Sequence, residues 1–145
     1  MAGGAQKRAA CLIPGTDRNR KSAMPTIYEL ARDFTALLRA GQFAAAGEQF
    51  WARDVISIEP TDQPDGVGTT VSGFVAVRNR CAARFGASCI DEIGIDGPFI
   101  TGDQFALFLD LVLVDPASGV RQPLSEIATY TVRDGQIAEE RYFYA

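Results

Sequence analysis

Carboxylates and phenols recur at every second position through the last third of the chain. Glu126, Ala128 and Tyr130 fall in one stretch, Glu140, Tyr142 and Tyr144 in the next, and Phe108 and Asp110 in the stretch before them. A fourth acid, Glu59, closes the apolar run Val55, Ile56, Ser57, Ile58 and stands directly before Pro60. In water these would be ordinary acids. Enclosed among apolar residues and one another, their carboxyls are desolvated and crowded by like charge. Both effects raise a carboxyl pKa toward the range in which a general acid or base works near neutrality. Neighbouring phenols can orient a ligand oxygen or hold a carboxylate in place. Glu59, Glu126 and Asp110 are the candidate catalytic residues. Phe108, Tyr130, Glu140, Tyr142 and Tyr144 are candidate substrate contacts, and Trp51 is either a core wedge between helices and sheet or a stacking surface.

Those side chains share a place only if the strands carrying them are paired in a particular register. QFALFLDLVLV alternates Leu107, Leu109, Leu111 and Leu113 with Ala106, Phe108, Asp110 and Val112, the period of two that marks a strand. Residues 115–119, Asp-Pro-Ala-Ser-Gly, supply a reversal, PLSEIATYTV returns, and Arg133, Asp134 and Gly135 turn the chain into QIAEERYFYA. If both turns keep the pairing, Phe108, Asp110, Glu126, Ala128, Tyr130, Glu140, Tyr142 and Tyr144 lie on one face. Unpaired buried carboxylates cost several kcal/mol each, so three acids on one face point to a pocket rather than a plain core. In that arrangement the leucines form the opposite, convex face, and an apolar patch of that size calls for cover by a second copy. The alternative turns the leucines inward and the acids to solvent. The second turn is equally decisive: three residues with Gly135 left-handed keep Glu140 with Ala128, whereas a two-residue Asp-Gly turn puts Glu139 and Arg141 there.

Composition narrows the chemistry. The chain of 145 residues contains no His, which excludes a Ser-His-Asp triad and the usual histidine zinc sites. Cys11, Cys81 and Cys89 are odd in number and lack CxxC spacing, so they read as reduced thiols of a cytoplasmic protein rather than a disulfide framework or zinc site. No metal and no organic cofactor is expected. Residues 25–145 hold nine Arg, no Lys and seventeen acids, a net charge of −8, which disfavours a phosphate backbone as partner. No apolar run reaches the roughly 18–20 residues of a membrane helix, so no membrane partner is expected.

The chain divides into an expected disordered tail over residues 1–24, where Met24 is a plausible true start, and one domain over 25–145. Thr26 with Glu29 reads as a capping box before Ile27, Leu30, Ala31, Phe34, Leu37 and Leu38, and Gly41 ends that helix. A shorter helix is expected over 42–50, a strand over 54–60, and a loop forming a rim over 61–70. A third helix starts at Ser72 or Gly73 with Phe74, Val77, Cys81 and Phe85 on one face and Arg78, Arg80 and Arg84 largely solvated. A strand from Cys89 continues past a bulge at Gly97 and Pro98 to Thr101. Helix, helix, strand, helix and then four strands give an α+β fold, a curved antiparallel sheet with helices on one side.

ELARDFTALLRAGQFAAAGEQFWARDVISIEP, then GFVAVRNR, TGDQFALFLDLVLV and EIATYTVRDGQIAEERYFY, resemble the SnoaL-like branch of the nuclear transport factor 2-like superfamily over residues 26–144. The resemblance implies a conical sheet with three helices on its concave side, the cystatin-like α+β roll, and often a homodimer through the convex face. It also implies a small-molecule ligand in the cone. In ketosteroid isomerases of this superfamily an Asp before a Pro is the general base, a place that Glu59 and Pro60 match. Their oxyanion donors correspond to Phe34 and Ala128, neither of which can donate, so Phe34 is implied as a substrate contact only. An epoxide hydrolase of this fold sets an arginine between two acids, a place for which Arg141 or Arg78 would be candidates. The expected function is an isomerase, cyclase or dehydratase without cofactor that moves protons on a small, mostly apolar, oxygenated molecule. A non-catalytic ligand-binding or dimeric interaction module is the alternative.

Overall fold

The structure, a computed structural model, describes residues 23–63 and 66–145; the expected tail over 1–24 lies, apart from its last two positions, outside the described residues. Three helices and six strands follow in the order α1 Ile27–Arg39, α2 Phe43–Phe50, β1 Trp51–Ile58, β2 Thr70–Ser72, α3 Phe74–Phe85, β3 Cys89–Thr101, β4 Gln104–Val114, β5 Arg121–Arg133 and β6 Gln136–Phe143. The strands form one sheet in the order β2-β1-β6-β5-β4-β3. The α+β architecture is the expected one, with two additions. The short edge strand β2 begins at Thr70, where the loop expected over 61–70 ends, and runs up to the start of α3, and β1 joins β6 in parallel rather than antiparallel fashion.

The first helix follows from local chemistry. The Thr26 hydroxyl accepts from the Glu29 amide and the Glu29 carboxylate accepts from the Thr26 amide, so two of the otherwise orphaned N–H groups of α1 are satisfied. Leu30, Ala31, Phe34 and Leu38 then recur on one buried face of α1. Phe34 meets the rings of Phe50, Phe105 and Tyr130 at 5.9, 6.0 and 4.9 Å between centroids, the junction of α1, α2 and the sheet. The guanidinium of Arg39, in the last turn of α1, donates 2.9 Å to the Gly97 carbonyl at the bulge of β3.

The sheet places the leucines inward. Leu107, Leu109 and Leu111 are fully buried in the core that the helices cover, while Phe108 and Asp110 face outward. β4 pairs Leu109 with Glu126 and Leu107 with Ala128, so odd residues of β4 share a face with even residues of β5. The expected face combining Asp110 and Phe108 with Glu126 is therefore wrong. The reversal is one residue longer than 115–119, since Val120 also belongs to it, its carbonyl accepting from the Asp115 amide at 3.0 Å. Val114 then pairs with Arg121, and one residue of shift turns every side chain of a strand over.

The second hairpin reaches the expected face by an unexpected route. Arg133 pairs with Gln136, leaving a two-residue turn in which Asp134 and Gly135 both take positive φ, 53° and 70°. That turn alone would point Glu139 inward. A bulge at Ala138, between the pairs Val132 with Ile137 and Thr131 with Glu139, inserts one residue and brings Glu140 opposite Tyr130 on the inner face.

Candidate active site

Four elements converge on one buried cluster. β5 supplies Glu126, β6 supplies Glu140 and Tyr142, β1 supplies Trp51 and Ser57 with Glu59 directly after its end, and α3 supplies Arg84 from its last turn. Glu59, Glu126 and Glu140 are 3, 4 and 3% exposed, and together with Arg80, Arg84, Tyr130, Tyr142 and Leu109 they line a cavity of about 30 Å³ under the helices. A space of that size holds about one water.

Arg84 organises the cluster. Its guanidinium pairs with Glu126 through Nη2, and Nη1 lies 3.9 Å from Oε1 of Glu59. The Tyr142 ring packs on it at 4.4 Å and the Tyr144 ring at 5.7 Å, so the cation is held between two acids and two π faces. A carboxylate buried as Glu126 is requires such a compensating charge. The Tyr144 hydroxyl donates 2.9 Å to Glu59 and accepts from Gln63 at the same distance, which ties the site to the loop after β1. Burial, chiefly, raises the Tyr144 pKa.

Glu140 has the opposite surroundings. Trp51 donates its indole N–H to Glu140 Oε2 at 2.9 Å, and the Ser57 and Tyr142 hydroxyls add further hydrogen bonds. Burial nevertheless outweighs these bonds and the more remote Arg84 charge, so its carboxyl is held above the usual carboxylate range. Tyr130, buried, and Tyr142, half-buried, lie beside Glu140, and both are pushed upward and stay neutral phenols. Burial likewise pushes the Cys81 thiol, at the cavity edge, up to about 11.

The structure thus brings Glu59, Glu126, Glu140, Trp51, Tyr130 and Tyr142 together, with Phe34 in the wall and Tyr144 at the margin. It does not bring Asp110 or Phe108, which lie on the outer face, where Asp110 accepts 2.6 Å from the Ser125 hydroxyl. Two arginines expected in solvent turn inward. Arg80 donates to the carbonyls of Gly68 and Thr69 and so fastens the loop before β2, and Arg84 enters the acid cluster. Position could have revealed Arg84, which stands seven residues beyond Val77 and three beyond Cys81 on the buried side of α3. Arg141 and Arg78 are exposed and do not stand between the buried acids. Among the described residues no group of His, Cys, Asp and Glu has the arrangement of a metal site.

The SnoaL-like domain model matches residues 25–144. The chain belongs to the SnoaL-like domain family. A candidate SnoaL-like polyketide cyclase of Mesorhizobium loti is 35% identical, with a TM-score of 0.73 over 83% of this chain and 100% of that one. A hypothetical protein of Catenulispora acidiphila with a ketosteroid isomerase-like fold, in complex with trimethylamine, is 16% identical with a TM-score of 0.58 over 83% and 88% of the two chains. TerC, crystallised with polyporic acid, is 17% identical with a TM-score of 0.59 over 81% and 90%. At such identities the last two share the fold with this SnoaL-like chain. A search of functionally curated proteins gave no match. No helix among the described residues is long and apolar enough to cross a membrane.

Proposed function

We propose that this SnoaL-like protein is a cofactor-independent isomerase, cyclase or dehydratase acting by carboxylate acid–base chemistry on a small, mostly apolar, oxygenated molecule. One observation carries this reading: buried glutamates around one cavity sit in opposite environments, Glu126 and Glu59 beside a guanidinium and Glu140 among neutral donors. Carboxyls set among such different partners can take the separate roles of base and acid. Glu59, bonded by Tyr144 but 3.9 Å from Arg84, keeps a lone pair for a proton adjacent to a carbonyl. Glu126 anchors Arg84. Glu140, whose neutral form burial favours, supplies the hydrogen bond that a developing enolate oxygen needs, with the Tyr142 hydroxyl holding its carboxyl in place, where the donors are missing at Phe34 and Ala128. Asp110 takes no part.

Proton abstraction is read directly from exchange. With a panel of cyclic enones and β-ketoesters in D₂O, the protein is expected to speed deuterium uptake at the carbon next to the carbonyl, followed by NMR. Glu59→Gln should lower that rate about 100-fold or more, within the range of acid–base contributions. Equal rates for the parent, Glu59→Gln and Glu126→Gln would exclude the mechanism, and saturable ligand binding without exchange would assign the protein to the non-catalytic alternative. Glu126, Arg84 and Glu59 in succession also favour a second reading, hydrolysis by an acid–arginine–acid site. Solvent ¹⁸O incorporation into an epoxide-derived diol separates it from proton transfer.

We place the protein in the cytoplasm, as its free Cys81 and Cys89 favour, and as a homodimer. The dimer is supported by Phe108, Ile127 and Phe143, register neighbours across β4, β5 and β6 that are 39, 47 and 48% exposed on the outer face. The leucines, which lie inward, are not the surface that a second copy would cover.

A further inference from the structure

The buried cavity is too small for any organic substrate, yet it does not end there. Between α2 and α3 lies a groove of about 300 Å³, lined by Phe43, Ala44, Trp51, Arg78, Cys81 and Phe85 among others. Phe43, Trp51, Cys81 and Phe85 line the buried cavity as well, so the same four side chains form both the floor of the groove and the outer wall of the acid cluster. Phe43 and Phe85 meet edge to face at 5.2 Å between centroids, and both are only partly buried, one from each helix. Trp51 is fixed more firmly, by its bond to Glu140 and by packing on Gly47, where an added Cβ would come within 2.4 Å of the ring.

We infer that groove and cavity are two halves of one binding site for a flat ring compound bearing an acidic or carbonyl oxygen. Its ring body lies in the α2–α3 groove, and its oxygen reaches Arg84 and Glu140 when the Phe43 and Phe85 rings part. The groove volume lies at the lower end of ordinary small-molecule sites. Its walls combine three aromatic faces with the small Ala44 and Ala82, which leave space for a plane, and Arg78, with Glu48 also in the lining, offers a donor to an oxygen of the ligand. Rotation of an exposed or partly exposed ring between staggered positions is rapid, whereas parting the core pair of Phe34 and Tyr130 would disrupt buried packing. The inference rests on the proposed catalytic site for the role of the oxygen, while its test rests on binding alone.

Trp51 is the sole tryptophan of the chain and borders both compartments, so its emission reports occupancy. Titration of the full chain with 8-anilinonaphthalene-1-sulfonate, a flat aromatic anion, is expected to give saturable quenching of Trp51 with energy transfer to one bound probe per chain. Ala82→Phe, on the exposed side of α3, should fill the groove and weaken binding at least tenfold, with Ala44→Phe as a second variant from α2. Phe43→Ala should speed the association rate in stopped flow by removing half of the partition. Phe108→Ser on the outer face should leave binding as it was. Unchanged affinity in both groove-filling variants, each with its parent circular dichroism retained, would overturn the assignment, as would quenching that never saturates. Glu59→Gln distinguishes the two proposals: probe binding retained with proton exchange lost supports both, and probe binding retained with exchange unaffected rejects only the catalytic reading.

Discussion

At the scale of single residues, Glu140 couples the site to stability. Its carboxyl is held up by burial in the folded chain and returns to about 4.3 when unfolded. Below that value both states carry the proton and nothing is lost. As pH rises from there to the higher folded-state value, the unfolded chain releases its proton and the folded chain keeps it, so the folded state loses stability over that window. Glu140→Gln removes the titration while retaining an oxygen to accept the Trp51 N–H. The melting temperature of Glu140→Gln relative to the parent should therefore rise as pH increases above the ordinary carboxylate range, in thermal melts followed by circular dichroism, and a constant offset would show that Glu140 does not titrate in this way. The acids themselves were legible in the sequence, because Glu126 and Glu140 interrupt apolar strands and Glu59 precedes a proline. Arg84 was not, because an arginine on an amphipathic helix is ordinarily solvated, and only the meeting of Glu126 on β5 with Glu59 just after β1 makes its burial favourable.

At the scale of elements, the hydrophobic periods specified helices and strands well, whereas relative strand register depended on loops that pattern does not reach. The capping box, the buried face of α1 and the bulge of β3 all follow from residue types. The side on which Asp110 falls follows instead from whether Val120 belongs to the reversal, a difference of one backbone hydrogen bond. A helical glycine gives another case in which packing decides the sign. Gly to Ala within a helix ordinarily stabilises by about 1 kcal/mol. At Gly47 in α2 a Cβ would lie 2.4–2.6 Å from three Trp51 ring carbons, and overpacking of that kind costs about 1–3 kcal/mol. Gly47→Ala is thus expected to lower the melting temperature and shift the Trp51 emission, and a more stable protein with unaltered emission would show that the ring is free to move aside.

At the scale of the whole molecule, the sheet has one face committed to the core and one bearing Phe108, Ile127 and Phe143 in a row. If a second copy covers that row, Ile127→Lys should convert the dimer to a monomer in sedimentation at micromolar concentration without loss of secondary structure. A parent chain that sediments as a monomer would remove the dimer from the proposal and leave the site intact, since its lining comes from one chain.

The bulge at Ala138 bears on how relatives are to be matched to this chain. Ile137 and Glu140 project to the same side although three positions separate them, because one residue of β6 has no counterpart on β5. A homologue lacking that extra residue would present its interior acid by plain alternation, and a gapless alignment would set Glu140 against an outward-facing side chain. Comparing acids across this hairpin therefore demands that the gap be placed by strand geometry, opposite Val132, rather than in the tight turn where insertions are conventionally assigned.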